Sequence, residues 1–312
     1  MIPLIGILQS QKNPPHYPRF KQVPFLDLFI FSPADLLRFE SHAVYNQVYT
    51  RDPTFAQRLE ERIGSARVFN TVTQLDKWKV AQILQHSPLG QFVPKTRLYT
   101  WQAIPSLIQD NRPMIIKPRY GHQGHGVFLL KPDKSSWQLL QSSNKPLLTF
   151  TDEREAKKHL LTQFRKSRWL LQEFIVSDSS EERVFDLRYL VQRGSLGQWN
   201  VTGTLSRVAL RDYFVTNICK TIVPVEQLIS STLKDELEEI SLQTAQILHG
   251  EIGHLGEISV DFMVDDQEKP WIIEVNGLPA KEPFIFLKHP PTLQKLYRFP
   301  LEYAYFLATQ RK

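Results

Sequence analysis

The sequence predicts a mixed α/β (α+β) protein, with a small parallel sheet near the start and a larger part built from hairpins and amphipathic helices. Three observations carry that reading. Apolar runs at Ile2–Leu8, Leu26–Phe31 and Ala43–Val48 open the chain, and a helix start follows the second run, giving strand, helix, strand. Leu233–Leu248 has the apolar period and composition of a helix. Ile258–Val264 and Trp271–Val275 are apolar runs on either side of a polar turn, as in a β-hairpin.

The elements follow in order. Asn13–Pro18 carries three prolines in six residues and cannot be regular helix, so it is expected as a loop at the sheet edge. Ser32 can cap the next helix, with Pro33 in its first turn. Thr73–Leu84 reads as an amphipathic helix through Leu75, Trp78 and Leu84, with Asp76 in its first turn. Phe92–Pro94 begins an extended piece. Pro113–Lys117 and Val127–Leu130 are expected strands around a glycine-rich loop, and the polar stretch 133–146 is expected as loop. Glu153–Lys166 reads as helix; Trp169–Ile175, Val184–Gln192 and Trp199–Val208 read as strands.

Composition excludes several classes. At 312 residues and 42% hydrophobic, the chain buries a core without disulfide or metal staples and is neither disordered nor collagen-like. No apolar run approaches the roughly 18 residues of a membrane span, and none is expected. The opening residues read as a buried strand, not a signal peptide. Cys219 is the one cysteine, which excludes an intramolecular disulfide and fits a reducing, cytoplasmic setting. The net charge of +6 is spread along the chain without a block of like charges, so no nucleic-acid partner is expected.

Four constellations could carry chemistry. In the C-terminal hairpin, symmetric pairing about the turn sets Asp261 opposite Glu274, and Asn276 points to the same face as Glu274. Facing carboxylates repel, and a divalent cation removes the conflict; two carboxylates and an amide oxygen are hard ligands of the kind Mg²⁺ takes. The plain alternative is a polar hairpin face. The segment Lys117-Pro118-Arg119-Tyr120-Gly121-His122-Gln123-Gly124-His125-Gly126 lies between two apolar strands. Its glycines can turn backbone N–H groups toward an anion, with Lys117 in reach of a phosphate, or form a simple glycine-rich hairpin. It is neither a P-loop nor a dinucleotide fingerprint. Gln172-Glu173-Phe174-Ile175 is either an ordinary strand end or an edge offering backbone groups to adenine. Asp186 and Arg188 share one strand face, with Arg207 on a later strand. Arginines inside sheets need a carboxylate or phosphate partner unless the pair lies at the surface. No serine elbow, close histidine pair or activated cysteine is present.

Taken together and in order, Lys77, Lys117 with its glycine loop, Gln172–Ile175, Asp186-x-Arg188, Arg207, Asp261 and Glu274-x-Asn276 resemble the ATP-grasp superfamily. Within it the chain resembles the YheC/YheD family of endospore coat-associated proteins, on Phe185–Gln192, Trp199–Gly203 leading to Arg207, and Trp271–Asn276. Phe31-Ser32-Pro33 and Val44-Tyr45-Asn46 fit as well.

The resemblance implies an ATP-grasp fold, with two α+β subdomains clasping ATP behind a small pre-ATP-grasp domain. The expected limits are 1–70 for the first domain and 71–312 for the second, divided into about 71–168 and about 169–312. It implies that Lys77 and Lys117 hold phosphates and that the loop carrying Gly121, His122, Gln123, Gly124 and Gly126 closes over them. Gln172, Glu173, Phe174 and Ile175 would line the adenine side, and Asp186 would be an acidic nucleotide contact. Asp261, Glu274 and Asn276 would hold Mg²⁺, or Mn²⁺ in its place. Arg188 and Arg207 would act on the transferring phosphate or a substrate carboxylate. The implied reaction joins a small-molecule or peptide carboxylate to an amine through an acylphosphate, with ADP and phosphate released. One departure stands out: the family carries Asn followed by paired glycines after the second arginine, whereas Thr216–Ile222 has Asn217 and no glycine pair. The competing reading is therefore a non-catalytic nucleotide-binding spore-coat structural or assembly protein with coat-protein partners.

Overall fold

The computed structural model describes residues 4–8, 27–31, 41–64, 66–100, 102, 112–121, 124–133, 136–164, 168–176 and 184–310. The expected proline-rich loop at 13–18 and the helix start at Ser32 lie outside them, as do His122 and Gln123.

Among the described residues, three sheets make up the fold. The first is parallel, ordered β2-β1-β3-β4, from β1 (Leu4–Leu8), β2 (Asp27–Phe31), β3 (Ala43–Asn46) and β4 (Val68–Phe69). Helix α1 (Thr54–Ile63) crosses between β3 and β4, as a parallel pair requires. The second sheet is antiparallel, ordered β5-β10-β6-β7-β8-β9. Its strands are β5 (Thr96–Leu98), β6 (Met114–Pro118), β7 (Phe128–Asp133), β8 (Ser136–Gln141), β9 (Pro146–Phe150) and β10 (Trp169–Glu173). The third, also antiparallel, is ordered β13-β12-β11-β14-β15. It comprises β11 (Phe185–Arg193), β12 (Trp199–Ala209), β13 (Cys219–Val223), β14 (Glu257–Val264) and β15 (Pro270–Asn276).

Helices cover these sheets. Helix α2 (Lys77–Gln85) begins where the Asp76 carboxylate accepts from the N–H groups of Trp78 and Lys79, so Asp76 is the cap and not a residue of the first turn. It packs with α4 (Ser231–Ile252) over the third sheet, through Val80, Leu84, Leu237, Ile240, Leu248 and Val260. Helix α3 (Glu153–Gln163) closes the core of the second sheet with Ala156 and Leu160. Helix α5 (Pro290–Thr309) lays Leu301, Tyr303 and Ala304 onto Ile5, Ile7, Ala43 and Phe69 of the first sheet. Each fully buried leucine or isoleucine of this kind contributes about 1.5–3 kcal/mol. Among the described residues, no helix is long and apolar enough to cross a membrane.

Three expectations need correction. Within 133–146, Ser136–Gln141 is not loop: β8 pairs with both β7 and β9, because Leu139 and Leu140, fully buried in a segment otherwise rich in serine and glutamine, anchor it. Strand β10 joins the second sheet between β5 and β6, while α2 shares the core of the third. A division of the ATP-grasp part by sequence at 168 therefore separates β10 from its own sheet. The hairpin is not symmetric either: Val264 pairs with Pro270, and a bulge between Asp261 and Phe262 leaves Ile273 unpaired, restoring Asp261 opposite Glu274.

The first and third sheets meet closely. The Asn70 side-chain oxygen accepts from the N–H groups of Gly256 and Glu257, at 2.8 and 3.2 Å. A Cβ at Gly256 would lie 2.2 Å from the Phe69 ring, so only glycine lets this ring seat on the strand entry.

Candidate active site

The site is built on the face of the third sheet that turns toward the second. Period-two alternation sends Glu257, Ser259, Asp261 and Met263 of β14 to one face. Register then supplies their neighbours: Arg188 of β11 opposite Asp261, Asp186 opposite Arg207 of β12, and Glu274 of β15 opposite Asp261.

These charges form a buried lattice. Arg188 donates to both oxygens of Asp261 in a bidentate pair at 2.8 and 2.7 Å. Arg207 forks onto Asp186, at 2.9 Å from Nε and through Nη2 to the second oxygen, and Nη2 also reaches Asp261 at 3.0 Å. The Thr216 hydroxyl completes Asp186 at 2.5 Å. The side chains of Asp186 and Asp261 are each 1% exposed. Burial is the largest influence on Asp261 and pushes its pKa up, but Arg188 and Arg207 together outweigh it and hold the carboxyl below its usual range. For Arg207 burial again opposes the charged form, and the carboxylates of Asp186 and Asp261 prevail, so the guanidinium is held charged.

Lys117, at the end of β6, is buried and donates to the Gln172 side-chain oxygen at 2.7 Å and the Ile273 carbonyl at 3.0 Å. The bulge at Ile273 is what exposes that carbonyl, so one irregularity both aligns Asp261 with Glu274 and ties the two sheets together. Gln172 is itself held by the Thr96 hydroxyl at 3.0 Å. Burial first, then repulsion from Lys77, brings the Lys117 pKa down to about 8, with Glu274 pulling the other way. Lys77, in the first turn of α2, lies 3.1 Å from Glu274 and donates to the Gly121 carbonyl at 3.1 Å. Asp76 fixes this corner: besides capping α2 it accepts from Arg119, at 2.5 to 2.8 Å, and from Tyr120 at 3.0 Å.

The resulting cavity has a volume of about 1100 Å³. One end is apolar, formed by Phe174, Ile175, Ile115, Val127, Met263 and Ile273 with Glu173. The middle holds Lys77, Lys117, Asp186, Arg188, Arg207, Asp261, Glu274 and Asn276. Gly124 and His125 lie along it, whereas Gly121 and Gly126 shape the loop behind. Gly124 has φ +66°, and a Cβ there would lie 2.5 Å from the Asn217 side-chain oxygen. The glycine loop is thus seated on Asn217, in the turn that leads into β13; the segment 216–222, whose sequence departs from the expected pattern, is strand from Cys219 on and not all loop.

Oxygen ligands for a divalent cation are present in part. Glu274 Oε1 is buried and, among the described residues, has the Lys77 ammonium 3.1 Å away as its ion-pair partner and no hydrogen bond, while Asn276 uses its amide nitrogen toward Ser259 at 3.4 Å and keeps its amide oxygen for a ligand. Both fit a hard cation. Asp261 faces them with three hydrogen bonds from the two guanidinium groups, two on Oδ2 and one on Oδ1, so Oδ1 keeps one acceptor site. Among the described residues no three His, Cys, Asp or Glu side chains cluster as a metal site on their own.

Nearly every site residue expected from the sequence therefore converges on one cavity; His122 and Gln123 lie outside the described residues, and Gln172 positions Lys117. Sequence reasoning missed Ile115, Val127, Met263 and Thr216. Met263 was within reach, being two residues beyond Asp261 on the same strand face.

Comparison with known proteins agrees with this geometry. Endospore coat-associated protein YheC of Bacillus subtilis strain 168 is 24% identical over 250 residues, covering 76% of this chain and 68% of YheC. YheD of the same strain is 26% identical over 252 residues, and there the match spans 55% of the relative's length. D-alanine–D-alanine ligase from Bacillus anthracis, solved with ATP, superposes with a TM-score of 0.56 at 15% identity, over 97% of this chain and 98% of that one. The ADP complex of N5-carboxyaminoimidazole ribonucleotide synthetase gives 0.60 at 16% identity, over 96% and 77%. These likenesses establish the fold. The model of the YheC/D-like ATP-grasp domain matches residues 65–307, and the chain belongs to that family.

Proposed function

We propose that the protein is an ATP- and divalent-metal-dependent carboxylate–amine ligase that works through an acylphosphate. The observation that carries this is the convergence of Lys77, Lys117, Arg188 and Arg207 with Asp261 and Glu274 in one cavity that apolar side chains also line. Cys219 also lines the cavity, but the charged set stands apart from any nucleophile–base pair, and positive charge stands where phosphate and carboxylate oxygens would meet. Such a site works by positioning and charge stabilisation.

In this reading the apolar end takes adenine, with the backbone around Glu173–Ile175 offering donor and acceptor to its edge. Lys117 and Lys77 hold phosphate oxygens, and the segment around Gly124 covers them. Mg²⁺, or Mn²⁺, held by Glu274 and Asn276 with Asp261, would supply neutralising charge to the phosphates. Arg207 moves a share of its hydrogen bonding from Asp261 to the transferring phosphate, which leaves Asp261 Oδ2 with the Arg188 hydrogen bond alone. A substrate carboxylate oxygen attacks the γ-phosphorus and the bond to the bridging oxygen breaks, releasing ADP. An amine then attacks the acyl carbon, loses a proton, and phosphate leaves carrying the former carboxylate oxygen. The substrates are a small-molecule or peptide acid and an amine. Likeness to YheC and YheD suggests work connected with the endospore coat, carried out in the cytoplasm.

A second reading is favoured by one observation: Asp261 is already held by three hydrogen bonds from Arg188 and Arg207. A non-catalytic nucleotide-binding role in coat assembly would keep that lattice closed. Hydroxylamine separates the two. With ATP, Mg²⁺ and a panel of acids, the ligase should yield a hydroxamate and ADP in step, only when an accepted acid is present. Tight nucleotide binding with no hydroxamate across the panel would favour the non-catalytic role. AMP and pyrophosphate as products would reject the acylphosphate.

A further inference from the structure

Beyond the charge lattice the same strand face continues to Glu257, where a second buried ionic group lines the far end of the cavity. The Lys281 ammonium lies 2.9 Å from Glu257 Oε2 and donates to the Tyr45 hydroxyl at 2.9 Å. It sits 5.5 and 5.7 Å from the centres of the Tyr45 and Tyr297 rings. Tyr45 in turn donates to Glu257 Oε1, and Gln192 donates to Oε2 at 2.9 Å. Glu257 is fully buried and Lys281 is 6% exposed, yet both line the cavity.

The carboxylate of Glu257 is therefore satisfied on both oxygens. Lys281 is not: an ammonium has three N–H groups, and the described residues accept two of them. A buried donor left without an acceptor is costly, and the cavity is where an acceptor can enter. Four residue steps of extended strand lead from Glu257 to Asp261, on the order of 13 Å. A ligand reaching from the reacting end to Lys281 spans that distance less one ion-pair contact of about 3 Å, leaving roughly 10 Å.

Resting on the ligase reading above, we propose that Lys281 forms an anion subsite, so that the acid substrate carries a second carboxylate roughly 10 Å from the one activated. Tyr45 makes the first sheet part of this subsite, since it holds both members of the ion pair. The substrate class is a long dicarboxylate, of the span of a short peptide, and not a simple monoacid.

The test uses the full chain loaded with Mg²⁺ and a non-hydrolysable ATP analogue, titrated with azelate, azelate monomethyl ester and succinate. Azelate should bind about tenfold more tightly than its ester, which lacks one charge, and than succinate, which is too short. Lys281→Met should abolish the preference for azelate over the ester while leaving nucleotide affinity unchanged. Because that variant strands Glu257, Lys281→Met/Glu257→Gln serves where it folds poorly, with the same expected result. Equal affinity for azelate and its ester in the parent, or a preference surviving in the variants, overturns the subsite. Nucleotide binding without that preference removes the subsite and leaves the ligase reading standing. Absence of nucleotide binding removes both.

Discussion

Arg207→Met is expected to cost roughly 3–5 kcal/mol of folding stability, because it strands buried acid groups rather than because the ion pair was strongly stabilising. Asp186 would keep only the Thr216 hydroxyl, while Asp261 would keep Arg188. Adding Asp186→Leu removes the stranded charge, so the double variant should recover most of the loss in urea unfolding. Turnover should not recover. If Arg207 meets the transferring phosphate, both variants should lose on the order of 10²–10³ in kcat. A double variant that regains activity along with stability would reduce Arg207 to a structural residue.

Lys117→Met separates binding from stability in the opposite way. Loss of a hydrogen bond from a charged group should weaken nucleotide binding roughly 10- to 100-fold, from about 1.5–3 kcal/mol. The ammonium is buried with its pKa near 8, below its ordinary value of 10.5. The unfolded chain therefore binds more protons than the folded one between those values, and Lys117's contribution to stability rises with pH across that window. Its burial penalty is fully present below about pH 8. The variant, free of that penalty, should match or exceed the parent in stability near neutral pH, with its advantage shrinking as pH rises. Nucleotide affinity of the parent should fall as pH rises through about 8, while the variant stays low and flat. Calorimetric titration across that range checks both. A parent whose affinity does not change with pH would remove Lys117 from the phosphates.

What the sequence made legible was governed by local rules. Period two placed Asp186 with Arg188, and Glu274 with Asn276, because alternation along a strand needs no knowledge of its neighbours. Asp261 did meet Glu274, although through a bulge that a symmetric turn did not require; the shift of one residue falls at Ile273, whose carbonyl accepts from Lys117 in another sheet, a contact the hairpin's own sequence does not reveal. Long-range partners were the harder part. Nothing near position 281 indicates that Lys281 will lie against Tyr45, because that meeting depends on how the first sheet docks on the third. Strand β8 was hidden for a similar reason: Leu139 and Leu140 are apolar islands in a polar stretch, and only pairing with β7 and β9 makes them core. The family resemblance supplied Lys77 and gave Arg207, noted as a sheet arginine in need of a partner, its place at the site; their remoteness in sequence gave no local sign that they share a cavity with Glu274.

The most direct test of the ligase account follows oxygen. An acid accepted in the hydroxylamine assay is labelled with ¹⁸O in its carboxylate and turned over with ATP, Mg²⁺ and an amine. An acylphosphate passes one carboxylate oxygen to the released phosphate, so inorganic phosphate should carry one ¹⁸O per product formed and the nucleotide none. Label appearing in AMP, or phosphate released without label, would contradict the account.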